Sequence, residues 1–244
     1  MPSIPMPKFL LTLLIVPILL GSLLGMPAQA KTIPMTALAT SFNVFTPQAH
    51  PTTLISLEDF VQSVENGQSN QVVGIYVPDV LALPVGQQPQ GNAGYVTRQP
   101  NQVTQFNMAS QYGTVGILAH NDLAGSIFPQ IHLNQYAIVV YGDGRLDYYL
   151  ISEVQKYQAL TPTSTFSDFV NLDGSNERLS AGQLFNRVYG PGSRLVFQTC
   201  IDAYGDASWG RMFIIAKPAT QQVLSVVQQT SFLLEFASFG LAYH

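Results

Sequence analysis

The chain has 244 residues, 47% of them hydrophobic and 10% charged, so it carries ample apolar material for a core and length for one or two domains. A formal net charge of −4, with no basic cluster, excludes a nucleic-acid footprint. A single cysteine, Cys200, excludes an internal disulfide framework.

Lys8 is the one charge in the first thirty residues, and Phe9 to Leu24 is almost wholly apolar. Ala28-Gln-Ala30 supplies a small-x-small cleavage pattern, and Pro17 interrupts the apolar run; both favour an export signal cut after Ala30. An uncleaved membrane anchor is the rival reading, because Phe9–Ala30 is uncharged and roughly 20 apolar residues can span a bilayer. Either reading puts the bulk of the chain outside the cytoplasm, free or tethered to the outer face of the membrane.

Residues 31–54 are rich in Thr, Pro, Ala and Ser and read as a linker. Ser56-Leu-Glu-Asp59 resembles a capping box, with Phe60, Val61 and Val64 as a short apolar stripe and Gly67 as the stop. These close a lead-in over residues 31–69. From Gln71 the texture changes to short β-rich runs. Strands are predicted at Val72–Val77, Val80–Val85, Thr114–His120, Ala137–Tyr141, Leu146–Ile151, Leu195–Cys200 and Met212–Ala216. Asp143-Gly144 signals a two-residue hairpin. Seven or so short strands with few helices predict a mainly β domain over residues 70–218, a small closed barrel or sandwich.

Between the hairpin and the cysteine strand, Thr161 to Ser193 forms a long excursion. It holds a second capping box, Ser180-Ala-Gly-Gln183, then Leu184, Phe185 and Val188, with Gly190-Pro191 as the stop. A helix inside so long a connection is more typical of a binding loop than of a simple link. Asp173-Gly-Ser-Asn-Glu177 offers oxygen ligands, but without the alternation of a calcium loop it reads as a solvated turn, and no metal site is assigned. The tail, residues 219–244, reads as an amphipathic helix.

Cys200 is either an inert core residue or a nucleophile. A thiolate is stabilised by a neighbouring cation, and His120 and Arg211, each at the edge of an apolar run, are the candidates. In an antiparallel barrel the ends of three adjacent strands can bring such side chains to one edge. His would then protonate a leaving amine, and Arg would hold the developing oxyanion. His50, His132 and His244 lie in no comparable setting and read as surface or structural.

Thr199-Cys200 at a strand end resembles the sortase signature, in which a Leu-x-x-Thr-Cys strand presents the nucleophile. Here three residues separate Leu195 from Thr199, so Val196 occupies the signature's Leu position. Cys200-Ile-Asp-Ala-Tyr204 followed by Trp209-Gly-Arg211 is similar to class A sortases. Ile117-Leu-Ala-His-Asn121 with Gly125-Ser-Ile-Phe128 resembles the family's histidine segment, with Ala119 where Gly is usual. The resemblance spans roughly residues 70–217.

It implies a closed sortase-type β-barrel of about seven or eight strands with short peripheral helices. It implies a cysteine transpeptidase that cleaves a sorting signal, holds the acyl part on Cys200 and passes it to an amine. His120 would act as acid and base, Arg211 would stabilise the oxyanion, and Thr199 and Trp209 would sit at the substrate site. Thr161–Ser193 would help form the groove. Partners would be a secreted protein or peptide bearing the signal and an amine acceptor, with no cofactor. A sortase-like module with a binding or assembly role is the alternative.

Overall fold

The computed structural model describes residues 55–219. The expected export segment, the linker over residues 31–54 and nearly all of the C-terminal tail lie outside the described residues. Among those described, no helix is long and apolar enough to cross a membrane.

Helix α1 (Leu57–Val64) starts where predicted, with the Ser56 hydroxyl accepting the Asp59 N–H at 3.1 Å. It lays Phe60 on β1 (Val72–Val77), where Phe60 packs with Val73 and Val140. Strand β2 (Leu81–Gln87) follows, then β3 (Val103–Gln105) and the single turn α2 (Asn107–Ser110). Neither of the last two was expected; a run of three residues is too short to carry a periodic signal. Strand β4 (Thr114–Leu118) leads through His120 into a 3-10 helix, Ala124–Gln130.

Strands β5 (Tyr136–Tyr141) and β6 (Leu146–Ala159) form the expected hairpin with a longer connection than predicted. Tyr141 N–H still reaches Arg145 O at 2.9 Å, and Gly144 sits at φ +81°, which makes a three-residue loop. Strand β6 also runs well past the predicted end at Ile151. Its first part pairs with β5, its middle with β10 and its end with β7, so tertiary pairing extends a stretch that is polar in sequence.

The excursion contains β7 (Phe169–Asn171), β8 (Arg178–Leu179) and α3 (Ala181–Tyr189). Helix α3 has the full reciprocal capping box between Ser180 and Gln183. Strands β9 (Arg194–Ala203) and β10 (Asp206–Pro218) complete the set.

The sheet order is β10-β9-β4-β3-β2-β1-β5-β6-β7-β8, and β6 pairs back onto β10. Strands β10 through β6 in that order therefore close an eight-stranded barrel, with β7 and β8 as an outward extension. The mainly β barrel with short peripheral helices is thus present. It is not wholly antiparallel, since β2–β3 and β4–β9 are parallel pairs. The interior holds Ile75, Val77, Ile117, Phe128, Val139, Leu195, Phe197 and Ile214. A second cluster lies outside the wall, where Leu184, Val188 and Tyr189 of α3 cover Val196, Phe213 and Ile215.

Candidate active site

Alternation along three neighbouring strands sorts side chains between the two clusters. Ile117 and Ala119, Leu195 and Phe197, and Met212 and Ile214 belong to the barrel interior. Val196 of β9 and Phe213 and Ile215 of β10 belong to the outer cluster. By the same parity Leu118 and His120, Gln198 and Cys200, and Arg211 face outward.

Register brings the last of these into line. Cys200 is the direct cross-strand partner of Arg211. Leu118 pairs in parallel with Gln198, and the ladder continues one step through Ala119 N–H to Gln198 O at 3.1 Å. His120 and Cys200 are each two residues past that pair, so His120, just beyond the end of β4 rather than within the strand as predicted, forms one row with Cys200 of β9 and Arg211 of β10. Cys200 and Arg211 lie inside their strands rather than at the predicted ends, because β9 continues to Ala203 and β10 begins at Asp206.

Each member of the row is partly exposed, and its backbone is fixed by neighbours. Arg211 donates through Nη1 to Ser208 O and Gly210 O, both at 2.8 Å, and through Nη2 to Pro162 O at 3.1 Å. Among the described residues it pairs with no carboxylate. A guanidinium has five N–H donors. Three are thus held by main-chain carbonyls, leaving Nε–H and one Nη2–H for a developing oxyanion.

The His120 carbonyl accepts Leu123 N–H at 3.0 Å and Gly125 N–H at 2.9 Å, which turns the chain directly after the histidine. Asn121 Nδ2 donates to Ala207 O at 3.0 Å and so ties this turn to the β9–β10 hairpin. Asp122 accepts from Arg98 Nη2 at 2.8 Å, and that hydrogen bond holds its carboxyl below the usual range. Gly125 lies so close to the strand end that a Cβ there would stand 2.4 Å from Thr199 Oγ1 and 2.7 Å from His120 O. The sequence pointed to the histidine segment but not to Asn121 as its fastener; a contact between residues 86 positions apart leaves no local signal.

The row opens onto a groove of about 380 Å³ lined by His120, Cys200 and Arg211. Leu118, Gln198 and Phe213 form its floor, Phe185 and Tyr189 of α3 one wall, and Ser164 and Thr165 of the excursion part of the rim. The excursion therefore helps to line the groove. The wall is an aromatic stack in which Tyr189 meets Phe106 at 5.2 Å and Phe185 at 5.4 Å between ring centroids. Burial pushes the Tyr189 phenol up, so it stays a neutral donor. A second cleft of about 320 Å³, bordered by Ser126, Lys156 and Asp202, is lined by Cys200 together with the inward-facing Thr199 and Met212.

The other two expected site residues lie apart from the row. Thr199 borders the groove, but its side chain lies on the interior face, buried, with its hydroxyl against Gly125 and, among the described residues, no hydrogen-bond partner. Trp209 packs edge-on against Tyr204 at 5.6 Å in the β9–β10 hairpin, outside the groove lining. His132 is an exposed loop residue, while His50 and His244 lie outside the described residues. In the Asp173–Glu177 turn, Asp173 accepts Ser175 N–H and Glu177 pairs with Arg187. Among the described residues no cluster of three or more His, Cys, Asp or Glu could hold a metal.

No family model matches the chain, and no curated protein matches it. Similar solved structures include sortase A from Corynebacterium diphtheriae, with TM-score 0.42 and 11% identity, covering 67% of this chain and 68% of that one. Sortase C1 from Streptococcus agalactiae, in complex with MTSET, has TM-score 0.39 and 10% identity, covering 63% and 70%. A Clostridium perfringens sortase D5 transpeptidase has TM-score 0.37 and 12% identity, covering 69% and 91%. TM-scores between 0.37 and 0.42 carry no assignment of activity, and the three structures come from different classes.

Proposed function

We propose that the chain is an exported sortase-type cysteine transpeptidase acting on a peptide segment of a secreted protein. One observation carries the reading: His120, Cys200 and Arg211, from three segments far apart in sequence, share one row on one face at a groove of about 380 Å³. The motifs around the same residues resemble those of class A sortases, and that finer placement belongs to the proposal. So does export, which rests on Phe9–Ala30.

In the proposed reaction Cys200 Sγ attacks the carbonyl of the scissile bond, and the C–N bond breaks as the thioester forms. His120 gives a proton to the departing amine, while the free N–H groups of Arg211 hold the oxyanion. An incoming primary amine then forms a new C–N bond, the C–S bond breaks, and the amine's proton leaves by way of His120. No step draws on a metal or cofactor.

The test is product analysis after incubation with a library of sorting-signal peptides, with and without a primary amine. Ligated peptide–amine products, absent in Cys200→Ala, support transfer. Cleavage that ignores the amine restricts the protein to a peptidase. Tight peptide binding without cleavage, unchanged in Cys200→Ala, favours a binding module.

A further inference from the structure

The groove floor is apolar except at one point. Gln198 lies between Leu118 and Phe213, one row below Cys200 on the same face. The Tyr189 hydroxyl meets Gln198 Oε1 at 2.5 Å. Tyr189 is 3% exposed, and among the described residues its hydroxyl makes no other hydrogen bond. A buried phenol whose proton lacks an acceptor carries a desolvation penalty, so the amide must turn its oxygen toward Tyr189. The amide nitrogen of this groove-lining residue is then left with two donors and, among the described residues, no acceptor.

Recognition at this floor has to come from side chains. Over Arg194–Gln198, strand β9 is paired on both edges, with β4 and with β10, so its backbone at the floor offers no free ladder for an added strand. Residues two apart along a strand stand about 6.6 Å apart, the span of roughly two residues of an extended peptide.

We infer that Gln198, oriented by Tyr189, selects peptides with a side-chain hydrogen-bond acceptor (Asn, Gln, Ser or Thr) about two residues from the bond broken. The inference rests on the reading of the groove as a peptide site. Tyr189 is a positioning residue in this scheme: it acts on the selected side chain only through Gln198. A peptide with an aliphatic side chain there would bury the amide nitrogen unpaired, a penalty that corresponds to about tenfold weaker acylation.

The experiment profiles thioester formation by intact mass, using a randomised peptide library on wild type, Gln198→Leu and the double variant Tyr189→Phe/Gln198→Leu. Gln198→Leu alone orphans the buried phenol, whereas the double variant removes both partners and guards against a folding failure; thermal melts check both. Wild type should favour acceptor side chains over aliphatic ones at one position by about tenfold, and the double variant should lose or reverse that preference. Tyr189→Phe alone should blunt the preference, because the amide is then free to flip. A positional profile unchanged in the double variant, or a uniform loss across all peptides, overturns the inference and leaves the transpeptidase reading standing. No adduct with wild type, and no peptide bound by Cys200→Ala, overturns both.

Discussion

Arg211 shows how much a single side chain can disclose. A surface arginine normally pairs with a carboxylate, and Arg98, Arg145, Arg178 and Arg187 all do, whereas Arg194, like Arg211, donates to main-chain carbonyls. Arg211 spends its donors on three main-chain carbonyls beside a thiol-bearing strand, an arrangement that aims a cation and demands a planar fork. Arg211→Lys keeps the charge and loses the fork. Acylation of Cys200 should fall by about 100-fold or more in kcat/KM with the melting temperature little changed. Thr199 calls for a different change, because its buried hydroxyl has no partner among the described residues. Thr199→Val should leave the fold intact and raise stability by about 1 kcal/mol in urea titrations; a marked loss would mean that the hydroxyl bonds something essential. Cys200, His120 and Arg211 stood out in sequence because each borders an apolar run. Gln198 did not, since a glutamine in a strand has no signature until a buried tyrosine fixes its amide.

At the scale of elements, caps and turns were the legible features. Ser56 and Ser180 start helices as their neighbours predict, and the Ser180–Gln183 box is reciprocal. Strand ends were less legible. β6, β9 and β10 outrun their apolar cores because pairing, not burial, sustains their polar halves. β7 and β8 were invisible for the same reason. The excursion that contains them is pinned by Arg178–Asp168 and Arg187–Glu177, both solvent-exposed pairs. The Arg187 hydrogen bond holds the Glu177 carboxyl below its ordinary range. A carboxyl depressed in the folded state contributes stability above its unfolded pKa and loses it as pH falls through the folded value. Acidification from about pH 7 to about pH 3 should therefore weaken the excursion. Urea midpoints across that range should fall less in Glu177→Gln than in wild type, and equal slopes would show that the pair contributes nothing.

On the scale of the molecule, the barrel explains how three distant segments share one row. The regular short apolar runs of the sequence pointed to a small β-barrel or sandwich, but not to the parallel pairing of β4 with β9. That pairing joins residues about eighty positions apart and sets His120 level with Cys200. Strand alternation then decides which face each residue takes, turning Thr199 inward and Cys200 outward. The most direct measurement is the intact mass of the wild-type protein, quenched while it turns over a sorting-signal peptide library. A sortase-type enzyme will carry a thioester on Cys200 that a primary amine discharges and that Cys200→Ala never forms. An unmodified wild-type mass, with peptide bound equally well by Cys200→Ala, would contradict it.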